Sequence, residues 1–295
     1  MNRLALALVL VLALAVGAHA DAVTVGLFAP TAPFPSTSAR VDLATRLGEH
    51  VGKALGQTGS GKVFARGSDF TAAVRKGEVS VALVDAAFLA VSGGGNYTVI
   101  ASAVRGGETA HGWQIVARGT TKLSGLQGKR VLVPGIGGRE ADFVLNGLLG
   151  GEVAKDFFAK IEPAPDTVSA LAALGLGKAD AAVVPVGVEL PAGATIVAKL
   201  PAVSGPVLVT YGSISAQQRQ TLAAAVTSFK GDATVSGFRV ADAEAVKVVA
   251  RRLVVPVKRG PLAVPAIRLL VGDLVEGRKL MIERTPVTAF AAKPR

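Results

Sequence analysis

The chain has 295 residues, 50% of them hydrophobic, 18% charged and 5% aromatic, which is enough apolar material for one or two packed domains and too much for a disordered chain. Its 35 glycines and 15 prolines are scattered, with no collagen period and no low-complexity tract, which excludes a fibrous or linker-like role. Lys and Arg number 32 against 21 Asp and Glu, a net charge of +11 that either steers an anionic ligand or simply solvates the surface. The aromatics do not interleave with basic runs, so nucleic acid is not an expected partner. The absence of cysteine removes disulfides, thiol catalysis and cysteine-ligated metals. The histidines lack metal-ligand spacing, so neither a metal nor a cofactor is expected.

Residues 1–20 place Arg3 before an apolar run from Leu4 to Val16 and then Gly17-Ala18-His19-Ala20, the charged, apolar and small-residue regions of a secretory signal. Cleavage after Ala20 would leave a mature chain beginning at Asp21, exported most simply to a bacterial periplasm. Val23 to Leu27 then reads as a strand. A Pro/Ser/Thr loop from Pro30 to Ser38 follows, and a helix to about Leu55 with Val41, Leu43, Leu47 and Val51 toward one side. Gly56-Gln57-Thr58-Gly59-Ser60-Gly61-Lys62 nearly spells a P-loop. Val63, however, stands in the Ser/Thr place and the segment leads into a strand, so it reads as a flexible loop. Lys62 to Ala65 is a predicted strand, a helix starts at Ser68-Asp69 and stops at Gly77, and Val79 to Val84 is a buried parallel-type strand.

The same order returns further on. Val131 to Val133 reads as a strand, Pro134 to Gly138 as a turn, Arg139 to Leu149 as a helix, and 158–162 as another strand. Asp166 caps a helix that stops at Gly177, and Ala181 to Val184 is an apolar strand. Between the halves, Tyr97 to Val104 and His111 to Ala117 are strands able to carry the chain across. Val207 to Tyr211 brings it back, before a helix from Ser215 to about Phe229. A helix near 241–252 and paired strands between Leu269 and Thr285 are expected at the end. The expected division is a signal peptide over 1–20, a first lobe over 21–108, a second over 109–203, and a return to the first lobe plus a C-terminal extension over 204–295. In such α/β sheets the loops at the strand carboxyl ends converge on a cleft, where helix N-termini offer free N–H groups.

This chain resembles the type II periplasmic solute-binding proteins of ABC transporters, and in particular their phosphate/phosphite/phosphonate-binding group. The resemblance rests on Val23-Thr24-Val25-Gly26-Leu27 after the signal and on Phe70-Thr71-Ala72-Ala73-Val74 through Gly77 to Asp85. It rests most specifically on Leu123-Ser124-Gly125-Leu126-Gln127-Gly128-Lys129-Arg130-Val131, and also on Gly177-Lys178-Ala179-Asp180-Ala181-Ala182. It covers about residues 21–230. It implies the periplasmic-binding-protein type II fold: two lobes, each a mainly parallel sheet flanked by helices, joined by extended hinge crossings. It further implies a monomer that captures a small, anionic ligand between the lobes, hands it to a permease at the inner membrane, and catalyses nothing. One departure stands out. The loop after Val133 usually supplies Ser/Thr hydroxyls to an anionic headgroup in this group, and here it reads Pro134-Gly135-Ile136-Gly137-Gly138-Arg139-Glu140.

Candidate ligand contacts follow from these placements. Gly137 and Gly138 can offer backbone N–H groups and Arg139 a guanidinium, opposed by Glu140 unless that side chain points away. Ser36, Thr37 and Ser38 precede the first helix, and Ser68 with Asp69 opens the second; each is a helix cap or an anion contact. Asp85, at a strand's carboxyl end, is a ligand contact or a loop organiser. Phe34 and Phe88 line an apolar side of the cleft or pack in a core, and Trp113, close to His111, stacks on a ligand or anchors a core. Gly135-Ile136-Gly137-Gly138, with Glu162 further on, suggests a dinucleotide fingerprint, but Glu140 at the third glycine position would repel a pyrophosphate. No Gly-x-Ser-x-Gly elbow or triad is apparent, and no catalytic residue is assigned. The alternatives are a sensor or accessory subunit for a membrane receptor, and an enzyme sharing the bilobal fold.

Overall fold

A computed structural model of the chain describes residues 22–92, 96–212, 214–242 and 244–254. The expected signal sequence, with His19, and the strands expected between Leu269 and Thr285 lie outside the described residues. The described chain builds two mixed sheets. The first contains β1 (Ala22–Phe28), β2 (Thr58–Val63), β3 (Val81–Asp85), β4 (Tyr97–Val104), β10 (Pro206–Tyr211) and β11 (Gly237–Val240), in the order β11-β4-β10-β3-β1-β2. The second contains β5 (Ala110–Arg118), β6 (Arg130–Pro134), β7 (Lys160–Ala164), β8 (Ala181–Pro185) and β9 (Ala194–Ser204), in the order β7-β6-β8-β5-β9.

The two sheets repeat one topology. Parallel β2-β1-β3 corresponds to parallel β7-β6-β8, and each third strand is flanked by an antiparallel one, β10 in the first sheet and β5 in the second. Strands β3, β8 and β10 are buried along their whole length, which is why their sequences are continuous apolar runs without alternation. The chain passes between the sheets twice among the described residues, from β4 to β5 through 105–109 and from β9 to β10 through Gly205. Gly205 N–H donates to Thr109 O at 2.8 Å, tying the two crossings together.

Helix α1 (Thr37–Leu55) packs on β1 and β2, and its contact with β2 explains the glycine-rich run 56–62. A Cβ on Gly48 or Gly52 of the helix would run into the Ser60 and Gly59 backbones. One on Gly59 or Gly61 of the strand would run into Gly48 and Ala44. The expectation of a flexible loop here is therefore corrected: these glycines let a helix lie directly on a strand, and the run is the edge strand β2. The predicted strand at Lys62 to Ala65 is accordingly displaced toward the N-terminus.

Helix α2 (Gly67–Arg75) follows, and α3 (Ala86–Ser92) springs directly from the end of β3. In the second half, α4 (Glu140–Asp142) runs on as a π-helix over Phe143–Leu148, and α5 (Thr167–Gly175) is capped by Asp166, whose carboxylate accepts from Ser169 N–H at 2.7 Å. Helix α6 (Ala216–Val226) begins with a reciprocal capping box between Ser215 and Gln218, and α7 (Ala245–Arg252) closes the described chain. One apolar core lies between the first sheet, α1 and α6, and another between the second sheet and α5. A third is continuous across both lobes, joining Phe28, Phe70 and Phe88 to Trp113, Ile115 and Phe143 and taking in Ala245, Val246 and Val249 of α7. Helix α7 touches α3 on one side and the π-helix on the other, so it buttresses both lobes.

Candidate functional site

The strand carboxyl ends of the two sheets face one another, and the loops between them are held by a short relay of hydrogen bonds. Asp85, the last residue of β3, is 1% exposed. Its Oδ2 accepts from Thr31 N–H at 2.7 Å and so pins the loop after β1, while its Oδ1 has no partner among the described residues. Burial pushes this carboxyl up to about 7, against the smaller opposing effects of the Thr31 hydrogen bonds and the Arg40 charge. The pinned loop presents its carbonyls to the second lobe. Thr167 N–H donates to Pro30 O at 3.2 Å, and its hydroxyl to Pro30 O and Thr31 O at 3.3 Å. Beside them Arg40 of α1 forms an ion pair with Asp166 at 2.5 Å, both side chains largely buried, with the guanidinium 5.6 Å from the Phe34 ring centre.

These contacts floor a groove of about 610 Å³. One wall is Pro33, Phe34 and Pro35 of the first lobe; the other is α5 from Thr167 to Ala172 with the loop Gly187 to Ala192. The volume falls within the range of small-molecule sites. The lining is apolar apart from Thr167, whose hydroxyl is already engaged, and Glu189.

The loop after β6 forms a second feature. Gly137 and Gly138 have φ of +101° and +112°, and with Ile136 they turn successive N–H groups toward one point at the start of α4. That point is occupied by Glu140. Its Oε1 accepts from Ile136 N–H at 2.9 Å and from the Gly137 and Gly138 N–H groups at 3.1 Å each. Glu140 does not point away from the loop; it folds back into it and is 7% exposed. Arg139 is turned elsewhere, to Asp142 Oδ2 at 2.7 Å and to Leu253 O at 3.2 Å. Gly137 approaches the first lobe, since a Cβ built on it would stand 3.0 Å from the Phe88 ring.

The remaining predicted residues divide by location. Ser36 caps α1, its hydroxyl accepting from Ala39 N–H at 3.1 Å. Thr37 is exposed, and Ser38 donates to Asp42 at 3.5 Å on the helix surface. Ser68 and Asp69 are exposed on the first turn of α2, and Ser68 donates to Asp69. Phe88 belongs to an aromatic cluster with Phe28 and Phe70, and Trp113 meets Phe143 edge-on at 5.1 Å. Trp113 also borders a cavity of about 20 Å³ between the crossings, with Thr31, Arg105, His111 and Ser204, room for a single water. Burial, aided by the Arg105 charge, pulls His111 down to about 4. Glu162 is bound by Arg130 and Lys160, at 2.5 and 2.7 Å.

The structure thus brings Phe34 and Asp85 to the groove and its supporting loop, and Phe88 to Gly137 across the lobes; Ser68 and Asp69 stand on α2, outside the groove lining. Sequence reasoning did not single out Thr167, Arg40 or the 187–192 loop. Position alone marks Thr167, the first residue after the recognised cap Asp166 and so a backbone donor at a strand-to-helix turn.

By sequence the chain matches no known protein family and no curated protein. By fold it is similar to XAC2383 from Xanthomonas citri, solved bound to ATP, with a TM-score of 0.61 at 14% identity over 79% of this chain and 96% of that one. PhnD1 from Prochlorococcus marinus, solved with methylphosphonate, gives 0.61 at 12% identity over 78% and 96%. A binding protein component of an ABC phosphonate transporter from Pseudomonas aeruginosa gives 0.61 at 14% identity over 79% and 85%. The bilobal α/β architecture of this chain is shared with these three solved structures.

Proposed function

We propose that this chain is an exported solute-binding protein that encloses a small solute between its lobes and delivers it to an ABC transporter permease at the inner membrane. The observation that carries this reading is the groove of about 610 Å³ walled by both lobes, since a site shared by two lobes is filled and emptied by their relative motion. The fold shared with transport-binding proteins and the secretory pattern of residues 1–20 support it. The chain works as a periplasmic monomer and performs no chemistry on its solute. The net charge of +11 favours approach of an anionic solute, and the proline, valine and leucine lining asks for an apolar body.

A thermal-shift screen of small organic acids graded by apolar size tests the proposal, because a solute bound only by the folded state raises Tm. Val168→Trp places an indole in the groove from a position already 44% exposed. It is expected to leave the unliganded Tm within a degree or two and to weaken the best solute by at least about tenfold. A solute bound equally by this variant, or a screen in which nothing stabilises the wild type, would refute it.

A further inference from the structure

A run of successive backbone N–H groups turned to one point forms a nest suited to an anion, because each donor is otherwise unpaired. In the loop after β6 that construction is complete: Ile136, Gly137 and Gly138 converge, and two consecutive positive φ angles at glycine aim the donors. What sits at the focus belongs to the chain itself. Three N–H groups share Glu140 Oε1 at 2.9–3.1 Å, and the side chain is sequestered from solvent. The neighbouring cation that would complement an arriving anion, Arg139, is committed to Asp142 and to the Leu253 carbonyl.

We propose that Glu140 is a built-in anion, which fills this nest and excludes compact oxyanions of the phosphate, phosphonate and sulfate type from the loop. A carboxylate held two to four residues from its donors and already oriented toward them competes intramolecularly, at an effective molarity far above a millimolar free solute, and it needs no second charge to hold it. Glu140 is therefore a specificity-determining residue. It leaves the helix start satisfied without a ligand, and the solute is recognised at the groove by other means. The inference deepens the solute-capture reading and rests on it only for the choice of solute.

The test uses the mature chain, labelled with nitrogen-15 and titrated with inorganic phosphate and then methylphosphonate. In the wild type the Gly137 and Gly138 amide resonances are expected to stay in place at millimolar anion. Glu140→Ala empties the nest, and phosphate is expected to shift those same amides with a gain in affinity of roughly tenfold or more over the wild type. Glu140→Gln keeps the volume and an acceptor oxygen but not the charge, and its gain is expected to be smaller than that of Glu140→Ala. Wild-type amides that move with phosphate would overturn the proposal, as would a folded Glu140→Ala that takes up no more phosphate than the wild type. If Glu140→Ala does not fold, the wild-type resonances and Glu140→Gln decide: still amides in the first with some gain in the second support the proposal, and no gain in the second overturns it. A failed solute screen would remove the transport reading and leave these amide shifts interpretable, so the two ideas fail separately.

Discussion

Asp85→Asn isolates the group on which the interlobe loops depend. In the wild type the carboxyl is buried with one oxygen on Thr31 N–H and the other without a partner among the described residues, and burial raises its pKa from 3.8 to about 7. Between those values the folded state holds a proton that the unfolded chain has released. Stability therefore falls as pH rises through this window and levels off above about 7. A shift of that size corresponds to at most about 4 kcal/mol, at 1.36 kcal/mol per pH unit. Asparagine keeps an acceptor for Thr31 and cannot ionise, but its amide puts two donors where the protonated carboxyl has one and where Oδ1 has no partner among the described residues, at a cost of about 1–3 kcal/mol. The two stability curves are thus expected to cross, with the variant less stable near pH 4 and more stable near pH 8. His111 slopes the other way, because its lowered pKa costs the folded state stability as pH falls from 6.5 toward 4. The informative quantity is consequently the difference between wild type and variant, from urea denaturation at pH 4 to 8. A difference constant across that range would refute the argument that burial holds this acid protonated.

Other outcomes follow from the same contacts. Asp166→Ala removes both the α5 cap and the partner of the largely buried Arg40, and should cost about 2–4 kcal/mol at pH 7 by urea denaturation. Burial alone would raise the Asp166 carboxyl, but Ser169 and then Arg40 outweigh it and hold the group below its usual range. Its contribution is therefore lost as pH falls through that depressed value, and the gap between variant and wild type should narrow in acid. Gly48→Ala forces a methyl against the Ser60 backbone and should destabilise by about 1–3 kcal/mol or more. Gly56→Ala, at φ +68° with open space around it, should lose only the roughly 1 kcal/mol of left-handed strain; equal losses in the two variants would contradict the close packing of α1 on β2.

The repeated strand-helix-strand order was legible because the third strand of each parallel set, β3 and β8, is buried along its whole length and appears as an unbroken apolar run, Val81 to Val84 and Ala181 to Val184. Their helices also stop at left-handed glycines, Gly77 and Gly177. Strand β9 was missed for the opposite reason. It is an edge strand whose residues from Ala194 to Pro201 are exposed or half-buried, so its sequence lacks that signal. Helix α3 was missed because it begins without a loop directly after β3, where the apolar run hides the change of period. The glycine-rich run 56–62 misled because glycine has two uses, turning the backbone and letting backbones approach, and only the facing Gly48 and Gly52 reveal the second. Asp85 carried both of its possible roles in the sequence, and it took Thr31, 54 residues away, to show the loop-organising one. Glu140 stood out in the sequence only as a charge opposed to an arriving anion; that its carboxylate fills the nest depends on the converging N–H groups of Ile136, Gly137 and Gly138, which sequence does not show.

One regularity joins these observations. Most polar groups that would greet a solute's charged end are already used within the chain: the three nest amides by Glu140, Thr31 N–H by Asp85, Thr167 N–H by Pro30, Ser169 N–H by Asp166, and Arg40 Nη2 by Asp166, while the buried Arg40 Nε has no partner among the described residues. A solute that takes any of them exchanges one hydrogen bond for another, with little net gain. Affinity must then come from apolar surface buried in the groove, and at roughly 25 cal/mol per Å² a solute covering about 150 Å² gains about 4 kcal/mol before the cost of association. The groove has both its walls because Thr167 and Asp166 hold the second lobe to Pro30, Thr31 and Arg40 of the first. These bonds set the separation of the two walls, and they are the contacts that relative motion of the lobes would break and remake. Positive charge then governs how fast an anionic solute arrives, while the shape and apolar body of the solute govern whether it stays.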